Sequence, residues 1–447
     1  MRKKCLVLLL LTTTLVSSIF AGCGKKKTAS DTTQTSVDDG FMYVPKIDTI
    51  TAGSGEEIGS MQLRDGKLIY PVYTYDDDYN IKSLKLHVQD RDGGNESETE
   101  IENIFTDDKY AQNFGFVGDT IEAMVVTFKE EKTEYSLAKF DKSGKFVSDV
   151  PLKNLDDSGY LRCAGIDGDG FAYIMNDEYA FKVSSEGEVV SSVRLPENVM
   201  NPFMDNDGNF YVTSYGKGYE ITGVDFDKKS LTEKWENVPT DADSIFDIGD
   251  GRFLIFTQDA IFEYAKEAGE ATEIVKYIDM DMPTANPFAA WKNEDGTYTY
   301  IYQDWMGGKD NPDRVTIEKV EKTGEEKTKI YFATGYANEE LKNAIRTFNR
   351  TSQEYRIEMT EYMNEDTWEF DIDRFNADMS SGKVDVVAVR DLYDSFKPEN
   401  YIDLKTYIDN DADISLSDYF ENVFKACEQK GKLYTLPTSF TVSGFGA

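Results

Sequence analysis

Residues 160–196 read YLRCAGIDGDGFAYIMNDEYAFKVSSEGEVVSSVRLP, and this stretch decides the fold of most of the chain. Four short runs rich in β-branched and aromatic residues follow one another: Tyr160 to Ile166, Phe171 to Met175, Tyr179 to Val183 and Val189 to Leu195. Asp169-Gly170 and Ser185-Glu186-Gly187 separate runs, and such dipeptides favour hairpin turns because glycine adopts positive φ without a steric cost. Pro196 then ends the unit, as expected of a residue that cannot donate to a sheet ladder. Four antiparallel strands joined by tight turns are what one propeller blade requires.

The same punctuation recurs on both sides. Asp65-Gly66, Gly118-Asp119, Asp207-Gly208, Asp250-Gly251 and Asp295-Gly296 each precede an aromatic-rich alternating run. Successive anchor glycines fall about 40 to 50 residues apart, the period of propeller repeats. Pro151, Pro239 and Pro283 stand at blade boundaries, whereas Pro71 falls inside an expected strand. The expectation is an all-β propeller of six to eight blades over residues 41–324, with seven slightly favoured and Met42 to Ile50 able to close the ring. A pair of β-sandwiches is the competing architecture. Asp167 with Asp169, and Asp205 with Asp207, have the spacing of calcium loops. The glycine and glutamate that such loops require are missing, so these pairs read as turn chemistry and no metal or cofactor is expected. His87 is the one histidine, which leaves no histidine pair for zinc and makes a Ser-His-Asp triad improbable. No catalytic arrangement is legible, and the chain reads as a binding protein rather than an enzyme.

The first residues read as an export signal. Arg2, Lys3 and Lys4 precede an apolar run from Cys5 to Val16, too short to span a bilayer. Phe20-Ala21-Gly22-Cys23 resembles the lipobox of bacterial lipoproteins. That resemblance implies a signal peptide over residues 1–22, lipid attachment at Cys23 and a place on the outer face of the cell membrane. Residues 23–40 are lysine-, threonine- and aspartate-rich and read as a flexible tether. A net charge of −35 argues against nucleic acid as a partner. Cys163 and Cys427 are expected to be buried free thiols.

After Thr323-Gly324 strands alternate with helices, which indicates βαβ units and a parallel sheet. Lys327 to Ala333, Tyr355 to Tyr362 and Val384 to Val389 read as strands, with Asn338 capping a helix whose Leu341, Ile345 and Phe348 share one face. Read in order, Ala344-Ile345-Arg346-Thr347-Phe348-Asn349, Arg374-Phe375-Asn376-Ala377-Asp378, Gly382-Lys383-Val384-Asp385-Val386-Val387, Tyr401-Ile402-Asp403-Leu404 and Gly431-Lys432-Leu433-Tyr434-Thr435-Leu436-Pro437 resemble extracellular solute-binding proteins of bacterial ABC importers, the sugar-binding lipoprotein type. The resemblance implies that residues 326–447 are the first of two α/β lobes and that the chain is truncated before the second. It further implies capture of a small solute, a sugar or oligosaccharide, by hinge closure, and delivery to ABC permease subunits. Ligand positions beyond the carboxyl ends of the strands would be Gly335, Tyr336, Tyr362, Asp391 and Tyr393. Two rival readings are a surface interaction or sensory lipoprotein whose propeller binds a protein or polysaccharide, and a carbohydrate-active propeller fused to a binding lobe.

Overall fold

The computed structural model describes residues 41–77, 80–106, 108–130, 132–155, 160–216, 218–305, 309–321, 327–364, 367–388, 401–410 and 421–436. From Met42 onward they belong to one unit. The first strand, β1 (Phe41–Thr49), finds its partner only at the far end of the ring. Blade 1 comprises β2 (Glu56–Ile58), β3 (Gln62–Arg64), β4 (Lys67–Tyr75), β5 (Ile81–Asp90) and β6 (Ser97–Ile101), with β2 and β3 together serving as its first strand. Blade 2 follows as β7 (Lys109–Val117), β8 (Thr120–Phe128), β9 (Thr133–Asp141) and β10 (Phe146–Pro151). The quoted stretch forms blade 3: β11 (Arg162–Ile166), β12 (Ala172–Met175), β13 (Tyr179–Val183) and β14 (Val189–Arg194). Blade 4 contains β15 (Val199–Met204), β16 (Phe210–Tyr215), β17 (Tyr219–Asp225) and β18 (Ser230–Lys234). Blade 5 is made of β19 (Ser244–Gly249), β20 (Arg252–Phe256), β21 (Ala260–Ala265) and β22 (Glu270–Lys276). Blade 6 contributes β23 (Ala289–Lys292), β24 (Tyr298–Tyr302) and β25 (Asp313–Glu321), and β1 pairs with β25 as its outermost strand.

The propeller therefore has six blades, the lower end of the expected range, and the sandwich alternative is excluded. All six anchor glycines, at 66, 118, 170, 208, 251 and 296, lie in the hairpin between the first and second strands of a blade, each with positive φ. Pro71 is tolerated inside β4 because its carbonyl faces Gly59, in the gap between β2 and β3. Its missing N–H faces the same gap, where no ladder bond is needed.

Burial explains why the strands are so apolar. Six separate core clusters occupy the six spaces between neighbouring blades. Leu84, Leu86 and Ile101 of blade 1 pack on Phe114, Ile121 and Phe140 of blade 2, for instance. Each blade is thus covered on both faces, so β8 and β12 are buried almost throughout. Backbone clasps add to this. The Gly144 carbonyl in the β9–β10 turn accepts from Glu102 N at 2.8 Å, and Gly187 in the β13–β14 turn accepts from Lys153 N at 2.9 Å. Both turn glycines press on the preceding blade so closely that a Cβ on Gly144 would meet Glu100 O at 1.9 Å.

A small α/β appendage follows: β26 (Thr328–Thr334), α1 (Glu339–Thr351), β27 (Tyr355–Glu361), α2 (Ile372–Ser380) and β28 (Val386–Val387), in parallel order β27-β26-β28. Asn338 caps α1 as expected, accepting from Leu341 N at 3.0 Å. The reading of this region as the first lobe of a periplasmic-type solute-binding protein is not upheld. Such a lobe needs an extended parallel sheet buried on both faces, whereas here the third strand is two residues long and Val386 is exposed. Among the described residues only two further short helices, α3 (Lys405–Ile408) and α4 (Glu421–Cys427), and the hairpin Glu428 to Leu433 follow. With the lobe goes the basis for expecting a missing second one.

The appendage is fastened to the ring at Asp281, which follows the 3-10 turn Tyr277–Met280 between blades 5 and 6. Its carboxylate accepts from Arg356 Nη1 at 2.6 Å and from Asn349 Nδ2 at 3.1 Å. Arg350 donates to its carbonyl, and Arg356 Nη2 to Ile278 O at 3.1 Å.

Candidate functional site

The first strands of the blades face one another around the axis. Between them lies a cavity of about 360 Å3, walled by residues of blades 1, 3, 4, 5 and 6. Its polar wall is mostly neutral: Gln62, Asn201, Thr213, Ser244 and Asn286, with Asp243 and Asp247 beside them. Several of these hold one another across blades. Ser244 Oγ donates to Asn286 Oδ1 at 2.7 Å, and Asn206 N to Asp247 Oδ2 at 2.7 Å. Within blade 4, Thr213 Oγ1 accepts from Asn201 N at 3.0 Å. The lining rings Phe203, Phe246 and Phe288 are each packed into an inter-blade core. A second cavity of about 210 Å3 opens between blades 1 and 2 beside Gly59, Gln62 and Asn113.

Cys163 on β11 also lines the axial cavity. Desolvation pushes its thiol up to about 12, against weaker lowering effects of the Gly165 N–H and the nearby Arg64 charge, so it is an inert thiol at neutral pH. Cys163 and Cys427 are both free and half-buried, less enclosed than expected.

The two acidic turns are occupied by local bonding. Asp167 Oδ1 accepts from Asp169 N at 3.0 Å and Phe171 N at 2.9 Å, and its Oδ2 from the Tyr173 hydroxyl at 3.0 Å. Asp205 does the same with Asp207 N, Asn209 N and the Tyr211 hydroxyl. Burial, together with these carboxylates, raises both tyrosine pKa values well above the usual range. His87 is half-buried on β5, stacked on Tyr70 at 5.2 Å and bonded to Glu96 at 2.9 Å.

Of the five positions nominated in the appendage, Gly335, Tyr336 and Tyr362 lie among the described residues. Tyr362 is buried core: it packs on Phe370 and Phe375, and its hydroxyl donates to Asp378 at 2.9 Å. Tyr336 is exposed, with its ring 6.4 Å from that of Trp368. The Gly335 carbonyl accepts from Met363 N at 2.9 Å, which ties it into the fold. Asp391 and Tyr393 lie outside the described residues, as do Cys23 and the leader. Sequence reasoning missed the axial cavity, since the residues lining it are scattered over more than 200 positions.

No known protein family and no curated protein matches the chain. Among solved structures it is similar to the β-propeller domain of Cps50 (Swd1) from Myceliophteria thermophila, at 11% identity and a TM-score of 0.39, covering 61% of this chain and 98% of that one. A protein of unknown function from Bacteroides caccae matches at 11% identity and a TM-score of 0.35, covering 53% of this chain and 87% of that one. The β-propeller domain of the Trilobed protease from Pyrococcus furiosus, described as having an open velcro topology, matches at 12% identity and a TM-score of 0.36, covering 57% and 79%. The fold assignment rests on the strand pairing, not on these distant likenesses. The importer resemblance is withdrawn on the strand pairing as well, because the appendage's third strand is two residues long and Val386 on it is exposed.

Proposed function

We propose that this chain is a surface-displayed binding protein whose propeller engages a protein partner at its axial cavity. The observation that carries the reading is the cavity itself: an opening of about 360 Å3 on the ring axis, walled by residues of five blades and rich in amide and hydroxyl side chains. Such groups offer donors and acceptors at once and suit the N–H and C=O groups of an inserted peptide segment. A sugar ring would want an aromatic face, and the cavity's phenylalanines are committed to the blade cores. The leader supports display at the membrane: a basic start, a short apolar run and Cys23 in a lipobox-like setting would attach the chain by a diacylglyceryl group. Among the described residues no helix is long and apolar enough to cross a membrane.

The test is selection of peptides from a displayed library on the full chain, followed by binding to a variant carrying Asn201→Ala and Asn286→Ala. Peptides that bind the wild type and lose affinity for the double variant support the reading. Peptides that bind both equally, or a library that yields none, sink it. Anchoring is tested apart, by metabolic labelling with a radioactive fatty acid: Cys23→Ser should abolish the label and release the chain from the membrane fraction.

A further inference from the structure

Arg64 ends β3, on the inner strand of blade 1 beside the Asp65-Gly66 turn. Its side chain crosses toward blades 3 and 4. A Cβ placed on Gly165 of β11 would lie 2.5 Å from Arg64 Nη2 and 3.5 Å from Met204 Sδ of β15. The guanidinium therefore sits between three inner strands, next to Cys163 and Met204 of the axial cavity. Its Nη1 is buried without a hydrogen-bond partner. Among the described residues it forms no ion pair. Asp65 and Asp167 act on it only at longer range, and the Asp167 oxygens are already taken by the turn and by Tyr173. Burial lowers the Arg64 pKa, opposed by the nearby Cys163, Asp65 and Asp167.

A guanidinium carries five donors, no acceptor, and a charge it does not give up. Holding it half-desolvated without an acceptor is costly, and folding alone would be served as well by an apolar side chain there. Resting on the peptide-binding reading above, we propose that Arg64 is an anion anchor that receives a carboxylate from the segment inserted into the axial cavity. The planar fork of donors matches a carboxylate in bidentate fashion. A monoanion fits better than a phosphate dianion, because one cation faces the two neighbouring aspartates in a chain of net charge −35.

The test is calorimetric titration of the full chain at low salt with the capped pentapeptide acetyl-Gly-Gly-Glu-Gly-Gly-amide and its Gln counterpart. The Glu peptide should bind about tenfold tighter, the gain expected of one charge-assisted pair. Arg64→Met should erase that difference and Arg64→Lys restore part of it. Should Arg64→Met fail to fold, Gly165→Ala decides the matter: its new methyl displaces only the flexible end of Arg64, so the fold survives and the contrast should shrink. Equal binding of both peptides to the wild type overturns the anchor and leaves the peptide cavity standing. Binding of neither overturns both, and binding of glucuronate in place of the Glu peptide overturns the assignment to a peptide carboxylate.

Discussion

Asp281 holds the appendage to the ring, and replacing it by asparagine should loosen that joint without disturbing the blades. The substitution keeps the shape of the side chain and is tolerated by the backbone, since Asp281 has φ of 54° and asparagine is at home in the left-handed region. What it removes is one of two acceptors. An amide can accept from either Arg356 or Asn349 through its oxygen, and must turn its NH2 toward the other donor. A hydrogen bond to a charged group contributes about 1.5–3 kcal/mol. Arg356 is 28% exposed and can recover part of that from water, so the expected loss is about 1–2 kcal/mol. The Arg350 bond to the Asp281 carbonyl is unaffected because it is made to the main chain. Amide hydrogen exchange read by mass spectrometry is the assay. Peptides from α1 and β27 should exchange about tenfold faster in Asp281→Asn, while those of blades 2 and 3 keep their protection. Unchanged exchange over residues 339–361 would refute the claim that Asp281 carries the joint. Equal acceleration in blade 3 would show instead that appendage and ring unfold as one.

The remaining predictions concern the ring. Gly144→Ala forces a Cβ to within 1.9 Å of Glu100 O at a φ of 79°, and chemical denaturation should report a loss of about 2–4 kcal/mol. Asp167→Ala removes the acceptor for two backbone N–H groups and the Tyr173 hydroxyl, costing about 1–3 kcal/mol. Added calcium should leave the melting temperature of the wild type unchanged. Glu263 and Glu122 should respond oppositely to glutamine. Burial works to raise the Glu263 carboxyl, but hydrogen bonds from Tyr298, Lys292 and Arg252 outweigh it and leave the pKa below 4.5. Its stabilisation is present above pH 4.5 and lost as pH falls through the folded value, so Glu263→Gln should destabilise at pH 7 and the gap should close in acid. Burial raises Glu122 above 4.5 despite Lys139, so folding favours its protonated form. That contribution is present below pH 4.5 and lost as pH rises through the folded value, so Glu122→Gln should be neutral or stabilising at pH 7. Melting curves at pH 7 and in acid decide both.

Much of the ring was legible because its signals are local. Each anchor glycine marks a turn between adjacent strands, and no distant contact is needed to place it. The blade count was not, because β1 pairs with β25 across the whole ring. Thr49 meets Asp313 at 2.6 Å although 264 positions separate them, and no local pattern says whether such a strand starts a blade or completes one. The appendage failed differently. Its three strands and the helix capped by Asn338 were read near their true places, but alternation does not say how many strands a sheet holds, and β28 proved too short to cover a lobe. Tyr362 follows β27 as expected, yet nothing local told that its ring turns inward onto Phe375. Arg64 looked like any residue before an Asp-Gly turn, and only closure of the ring carries it to Gly165.

This division also explains where polar residues can collect. The apolar surface that stabilises the propeller lies between blades, in six wedges, and the outer turns reinforce it through the Gly144 and Gly187 clasps. The polar axial side chains of the inner strands contribute little to those wedges. Asn201, Ser244 and Asn286 can therefore vary with little effect on the fold, while the rigid ring holds them in place for a ligand. Residues of that kind, if they serve only structure, would be expected to satisfy one another fully. Ser244 and Asn286 come close to that, through their mutual bond. Arg64 does not, and the departure from self-sufficiency is what marks the Arg64 side of the axis as the end where a partner completes the bonding.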